Sequence, residues 1–104
     1  MTVSTGLIHT VLFYTDSKEN AEKIAAGCKT HLANIPVMTR FSVGFPAGTP
    51  RDVVDNSYGV MLLAEFEDAA GCATYDAHPD HQAFIAACKE FWTRVQVYDA
   101  IISG

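Results

Sequence analysis

A strand with water on one side alternates apolar and polar residues, and the two strongest strand signals in this chain do not. In Tyr58 to Phe66 (YGVMLLAEF), Tyr58, Val60, Leu62, Ala64 and Phe66 share one face, while Met61 and Leu63 occupy the other. In Leu7 to Tyr14 (LIHTVLFY), Leu7, Val11 and Phe13 oppose Ile8, Leu12 and Tyr14. A sheet built from such strands needs cover on both sides, and a chain of 104 residues carries helices enough for one. The expected cover for the other side is a second copy of the same sheet, packed by two-fold symmetry, so the chain is expected to form a homodimer. Composition points the same way. Hydrophobic residues make up 49% and charged residues 18%, which excludes a disordered chain and leaves apolar surface to spare.

The remaining elements follow from periodicity and caps. Asp16-Ser17 can cap a helix in which Ala21, Ile24, Ala25, Cys28, Leu32 and Ile35 form an apolar stripe, closed by Pro36. Met38 to Phe45 reads as a second strand, and the Gly/Pro-rich stretch from Gly44 to Ser57 as a long loop fit to act as a pocket rim or lid. Asp68 caps a short helix through Ala77, and His78-Pro79 breaks it, with Pro79 suited to open the next helix. Arg94 to Ile102 ends the chain as a strand. The order β-α-β-β-α-β predicts an α+β, ferredoxin-like protomer of one domain over residues 1–104, with no linker or internal repeat.

Charge and cysteines bound the partners. Seven Lys and Arg against twelve Asp and Glu give a net charge of −5, and the basic residues are scattered, so neither nucleic acid nor an anionic membrane is expected as a partner. Cys28, Cys72 and Cys88 are odd in number and lack C-x-x-C spacing, which fits reduced thiols in the cytoplasm rather than a disulfide framework. The segment Met1 to His9 has no basic leader pattern, and no apolar run is long enough to span a bilayer.

The residues that could carry chemistry cluster in Tyr75-Asp-Ala-His-Pro-Asp-His81. Counted from His81, Phe84, Ile85, Cys88 and Trp92 stand at i+3, i+4, i+7 and i+11, so His81 continues the apolar stripe and is expected between helix and sheet. Its place in the first helical turn and its apolar neighbours both disfavour a positive ring. A neutral imidazole can act as a general base and a Tyr75 hydroxyl can polarise a carbonyl, which suits proton abstraction beside a carbonyl followed by aldol-type ring closure or isomerisation. The competing interpretation is a packed, hydrogen-bonded core histidine. His9 shares a strand face with Leu7 and Val11, where it either completes the pocket with Tyr75 and His81 or bonds a backbone carbonyl. His78 reads as a cap before Pro79, and His31 as a surface residue. His78-x-x-His81 has a spacing two imidazoles could use, but Pro79 scrambles their directions and no further ligand matches, so no metal site is expected. Gly44 to Pro50 lacks the G-K-[ST] of a phosphate loop, and no cofactor is expected.

His9-Thr-Val-Leu-Phe13, Tyr58 to Glu67 and Tyr75-x-x-His-Pro-x-His81-x-x-Phe84 together resemble the stress-responsive A/B-barrel (Dabb) domain family over nearly the whole chain. The resemblance implies a ferredoxin-like protomer that pairs with its twin into a dimeric α/β barrel. The plant polyketide cyclase of that family closes a ring by an aldol-type reaction. Its motif tyrosine and second motif histidine match Tyr75 and His81, and its strand histidine matches His9. Another of its pocket histidines falls at Val60, and its helix aromatics fall near Ala25 and Cys28. The implied catalytic pair is therefore His81 and Tyr75, with His9, Val60, Phe84, Cys28 and Trp92 lining a differently shaped pocket. Three functions fit: a His/Tyr pocket for a small apolar carbonyl or aromatic compound with cyclase- or isomerase-type chemistry, a non-catalytic stress-associated binding module, and a cofactor-independent monooxygenase of the dimeric barrel class.

Overall fold

The computed structural model describes residues 6–103, so the leader reading of Met1 to Thr5 falls outside the described residues. Four strands form one antiparallel sheet: β1 (Leu7–Tyr14), β2 (Met38–Gly44), β3 (Val60–Phe66) and β4 (Arg94–Ile101), in the order β2-β3-β1-β4. This is the ferredoxin-like arrangement expected from the element order. Helices α1 (Lys18–Gly27), α2 (Ala69–Ala77) and α3 (Pro79–Cys88) pack on one face, over β1, β2 and β3 and away from β4. Among the described residues no helix is long and apolar enough to cross a membrane.

The caps act as the sequence predicts. Ser17 Oγ accepts the Asn20 N–H at 3.1 Å, and Asp68 Oδ1 accepts the Gly71 N–H at 2.9 Å, each satisfying a donor the helix start leaves open. His78 has extended backbone (φ −64°, ψ 140°) and serves both helices at once. Its N–H bonds the Tyr75 carbonyl, while its Nδ1 accepts the Asp80 N–H at 3.0 Å.

Three expectations change. The first helix leaves α geometry at Gly27 and continues as a π-helical turn, Cys28–Leu32, where the Ala33 N–H reaches back to the Cys28 carbonyl. The wider turn keeps Cys28, Leu32 and Ile35 all buried. Strand β3 begins at Val60 rather than Tyr58, and β4 ends at Ile101 rather than Ile102. The long loop does not rim the site described below. It leaves the sheet at the β2–β3 end, is tied across itself by Asn56 to Gly48 and Thr49, and borders a separate depression by Thr15–Lys18.

The helix side of the sheet holds the core: Leu7, Val11 and Phe13 from β1 with Val60, Leu62, Ala64 and Phe66 from β3, under Ile24, Leu32, Tyr75 and Phe84. The opposite face keeps Ile8, Leu12, Tyr14, Met61 and Leu63 half-buried in the single chain. Helices α1 and α3 pack tightly at Gly27, where an added Cβ would overlap Cys88 Sγ. Gly27→Ala is therefore expected to lose about 1–3 kcal/mol through overpacking, despite alanine's better helix propensity. Thermal unfolding followed by circular dichroism should show a Tm several degrees lower, with Cys88→Ala in the same chain recovering much of it. An unchanged Tm for the single variant would contradict the tight crossing.

Candidate functional site

Because the helices sit away from β4, a cavity of about 380 Å³ opens between β1, β4 and the α2–α3 corner. Its far end is apolar, with Phe13, Phe84 and Trp92 forming a ring cluster at centroid distances of 5.1 to 5.8 Å. The polar end holds His9, Tyr75, Asp76, His81 and Asp99.

The corner at His78-Pro79 brings Tyr75 and His81 together. Tyr75 closes the last turn of α2 and His81 opens the first turn of α3, so the break folds the two rings edge to face at 5.0 Å. Tyr75 also meets His9 edge to face at 5.8 Å, and so stands between two imidazoles. Its ring is fully buried, and burial pushes its hydroxyl above the ordinary phenol range, so it stays protonated as a donor.

His81 is the perturbed base. Burial pushes its imidazole below the ordinary value, the neighbouring His9 adds to this, and Asp76 opposes it. Nδ1 is sealed from solvent and has no hydrogen-bond partner among the described residues. That leaves Nε2, at 3.9 Å from Asp76 Oδ1, as the nitrogen able to meet a ligand. The distance is too long for a hydrogen bond but close enough for the carboxylate to favour a proton arriving there.

His9 takes the inward position that its alternation on β1 implies: it lines the cavity beside Tyr75 and His81, and its ring bonds a carboxylate instead of a backbone carbonyl. Its Nδ1 lies 2.6 Å from Asp99 Oδ1, which faces it directly across the β1–β4 register. Accepting the Nδ1–H, this carboxylate fixes the ring's orientation. Asp99 and Asp76 are absent from the residues expected for the site. The signal for Asp99 lies in β4, where Val95, Val97 and Asp99 alternate on one face and place a carboxylate in an apolar row.

Of the other expected residues, Phe84 and Trp92 line the cavity. Val60 and Cys28 do not. Both are completely buried in the core, and the wall is made instead by Leu62, two residues along β3, and by Leu32 from the π-helical turn. His78 is committed to capping, and His31 is half-buried beyond the site. Among the described residues His9, Cys72 and Asp99 form the one group whose ligand atoms could surround a metal ion, lying within 4.8 Å of one another. Burial pushes the Cys72 thiol up to about 11, so it is protonated rather than a ready thiolate.

Three solved structures share the fold over nearly their whole length. A dimeric ferredoxin-like protein of unknown function from Thermobifida fusca superimposes with TM-score 0.76 at 20% identity, covering 93% of this chain and 91% of its own. A Dabb family protein from Mesorhizobium loti gives TM-score 0.76 at 23% identity, covering 95% and 98%. A hydroxynitrile lyase from Passiflora edulis gives TM-score 0.77 at 18% identity, covering 96% and 95%. No curated protein sequence matches. The family model for the stress responsive A/B barrel domain matches residues 7–102, and the chain belongs to that family, Dabb.

Proposed function

We propose that the chain acts as a homodimer whose cavity binds a small apolar carbonyl or aromatic compound and moves a proton beside its carbonyl group. The observation that carries this is the His81 imidazole, pushed toward its neutral form by burial and packed edge to face on the Tyr75 ring at the polar end of an otherwise apolar cavity. In this scheme the ligand's carbonyl oxygen accepts a hydrogen bond from the Tyr75 O–H. His81 Nε2 takes the proton from the adjacent carbon, leaving an enolate whose oxygen the tyrosine stabilises. Asp76 supports the imidazolium so formed. The enolate then either attacks a second carbonyl through its carbon, closing a ring whose alkoxide takes the proton back from His81, or, where it is conjugated, recovers that proton from His81 at a different carbon. The hydroxynitrile lyase among the structural neighbours supports the reading to the extent that this fold holds at least one lyase. The dimeric neighbour supports the assembly, and the three buried free cysteines support a reducing cytoplasm.

Solvent deuterium exchange tests the reaction without knowledge of the natural substrate. Aromatic ketones and β-diketones incubated with the protein in heavy water are expected to exchange the protons beside their carbonyl groups, as read by proton NMR. Exchange at the buffer rate across the series would rule out proton abstraction and leave the binding-module function.

A further inference from the structure

Histidines aside, the charged groups on the cavity wall are both carboxylates. Asp99 stands against His9 at 2.6 Å and Asp76 beside His81 at 3.9 Å, so each imidazole at the polar end has a carboxylate next to it. Among the described residues no lysine or arginine lines the cavity. Several of the chain's cations are held elsewhere. Arg94 stacks on Tyr14 at 4.0 Å on the far face of the sheet, Arg40 pairs with Glu65, and Lys23 lies over Phe91. The polar end of the cavity, where Tyr75 would hold a ligand's oxygen, therefore carries two carboxylates, with no lysine or arginine of the described residues on the wall to offset them.

We infer that Asp76 and Asp99 act as a charge filter: the cavity takes uncharged aromatic carbonyl compounds and rejects carboxylates of the same shape. The inference rests on the cavity being a ligand site, as proposed above, and adds which class of ligand enters. An uncharged carbonyl keeps its hydrogen bond to Tyr75 and lays its ring against Phe13, Phe84 and Trp92. A ligand carboxylate reaching for the same hydroxyl brings a third negative charge to the polar end. Like charges a few ångströms apart, partly screened by solvent, weaken binding by about tenfold or more.

Benzamide, benzoate and benzamidinium test this, since they share one planar shape and differ in charge. The chain has a single tryptophan, and Trp92 lines the cavity, so its indole N–H resonance reports entry. At neutral pH benzamide is expected to bind at least about tenfold more tightly than benzoate, with benzamidinium no weaker than benzamide. In the double variant Asp76→Asn, Asp99→Asn the gap between benzamide and benzoate should close to within about threefold, because two charges are removed while shape is kept. The amide oxygen introduced by Asp99→Asn can still accept the His9 Nδ1–H, and Asp76 is exposed, so the fold should persist. Benzoate binding as tightly as benzamide, or a gap unchanged in the double variant, would overturn the filter. Silence of Trp92 toward all three probes would remove the ligand site and the filter together. The expected charge ranking without deuterium exchange would uphold the filter and remove the proton-transfer reaction.

Discussion

Substituting His81 by asparagine is expected to reduce deuterium exchange by about 10²–10⁴-fold, the range a positioned general base contributes. Asparagine keeps a polar side chain at the cavity wall but cannot take a proton, so ligand affinity should change far less than rate. The same substitution has a consequence for stability. Burial holds the folded-state value of His81 below the ordinary value near 6.5 that applies when the chain is unfolded. Between those two values the unfolded chain binds a proton that the folded chain refuses, so acid favours unfolding. The neutral ring's contribution is fully present above about pH 6.5 and is lost as pH falls through the folded-state value. The Tm of the wild type should accordingly drop on acidification from pH 7 to 5, and the drop should shrink in His81→Asn. An exchange rate within threefold of wild type would remove His81 as the base. A Tm profile identical in both proteins would show that the ring is solvated rather than desolvated.

What could be seen in the sequence divides by distance along the chain. Tyr75 and His81 stand six residues apart, and the stripe through Phe84, Ile85 and Cys88 fixes the direction of His81. Pro79 fixes the corner that turns Tyr75 toward it. Local rules suffice for both. Asp99 lies 90 residues from His9, and only the pairing of β4 with β1 brings them together. The π-helical turn is hidden for a different reason. Cys28, Leu32 and Ile35 lie on the buried side in a continuous α-helix and in the wider turn alike, so the apolar stripe does not distinguish them. Val60 and Cys28 show the limit of matching positions to a relative's pocket. Both lie buried in the core, and the cavity wall is drawn by Leu62 and Leu32, set by how the turn and the strand pack here.

Placing a charge on the uncovered sheet face should have the largest effect on assembly. Ile8, Leu12, Tyr14, Met61 and Leu63 alternate with the core residues of β1 and β3 and stay half-buried on the side away from the helices. Cross-strand pairing puts Leu12 beside Met61 and Thr10 beside Leu63, so the apolar residues form one continuous surface across the two central strands. Glu65 with Arg40, and Arg94 over Tyr14, stand toward its margins. An apolar centre with charged margins is how a two-fold interface is built. Each substitution enters such an interface twice, and burying an unpaired charge costs several kcal/mol. Leu63→Glu is therefore expected to turn a species of about twice 11.3 kDa into one of 11.3 kDa at micromolar concentration, measured by light scattering after gel filtration. The far-UV circular dichroism should be unchanged, because Leu63 points away from the protomer's own core. Glu22→Lys, on the exposed side of α1, should leave the dimer intact. A wild-type monomer, or a Leu63→Glu dimer, would mean that the surplus of apolar residues on these strands is not spent on a second copy of the sheet.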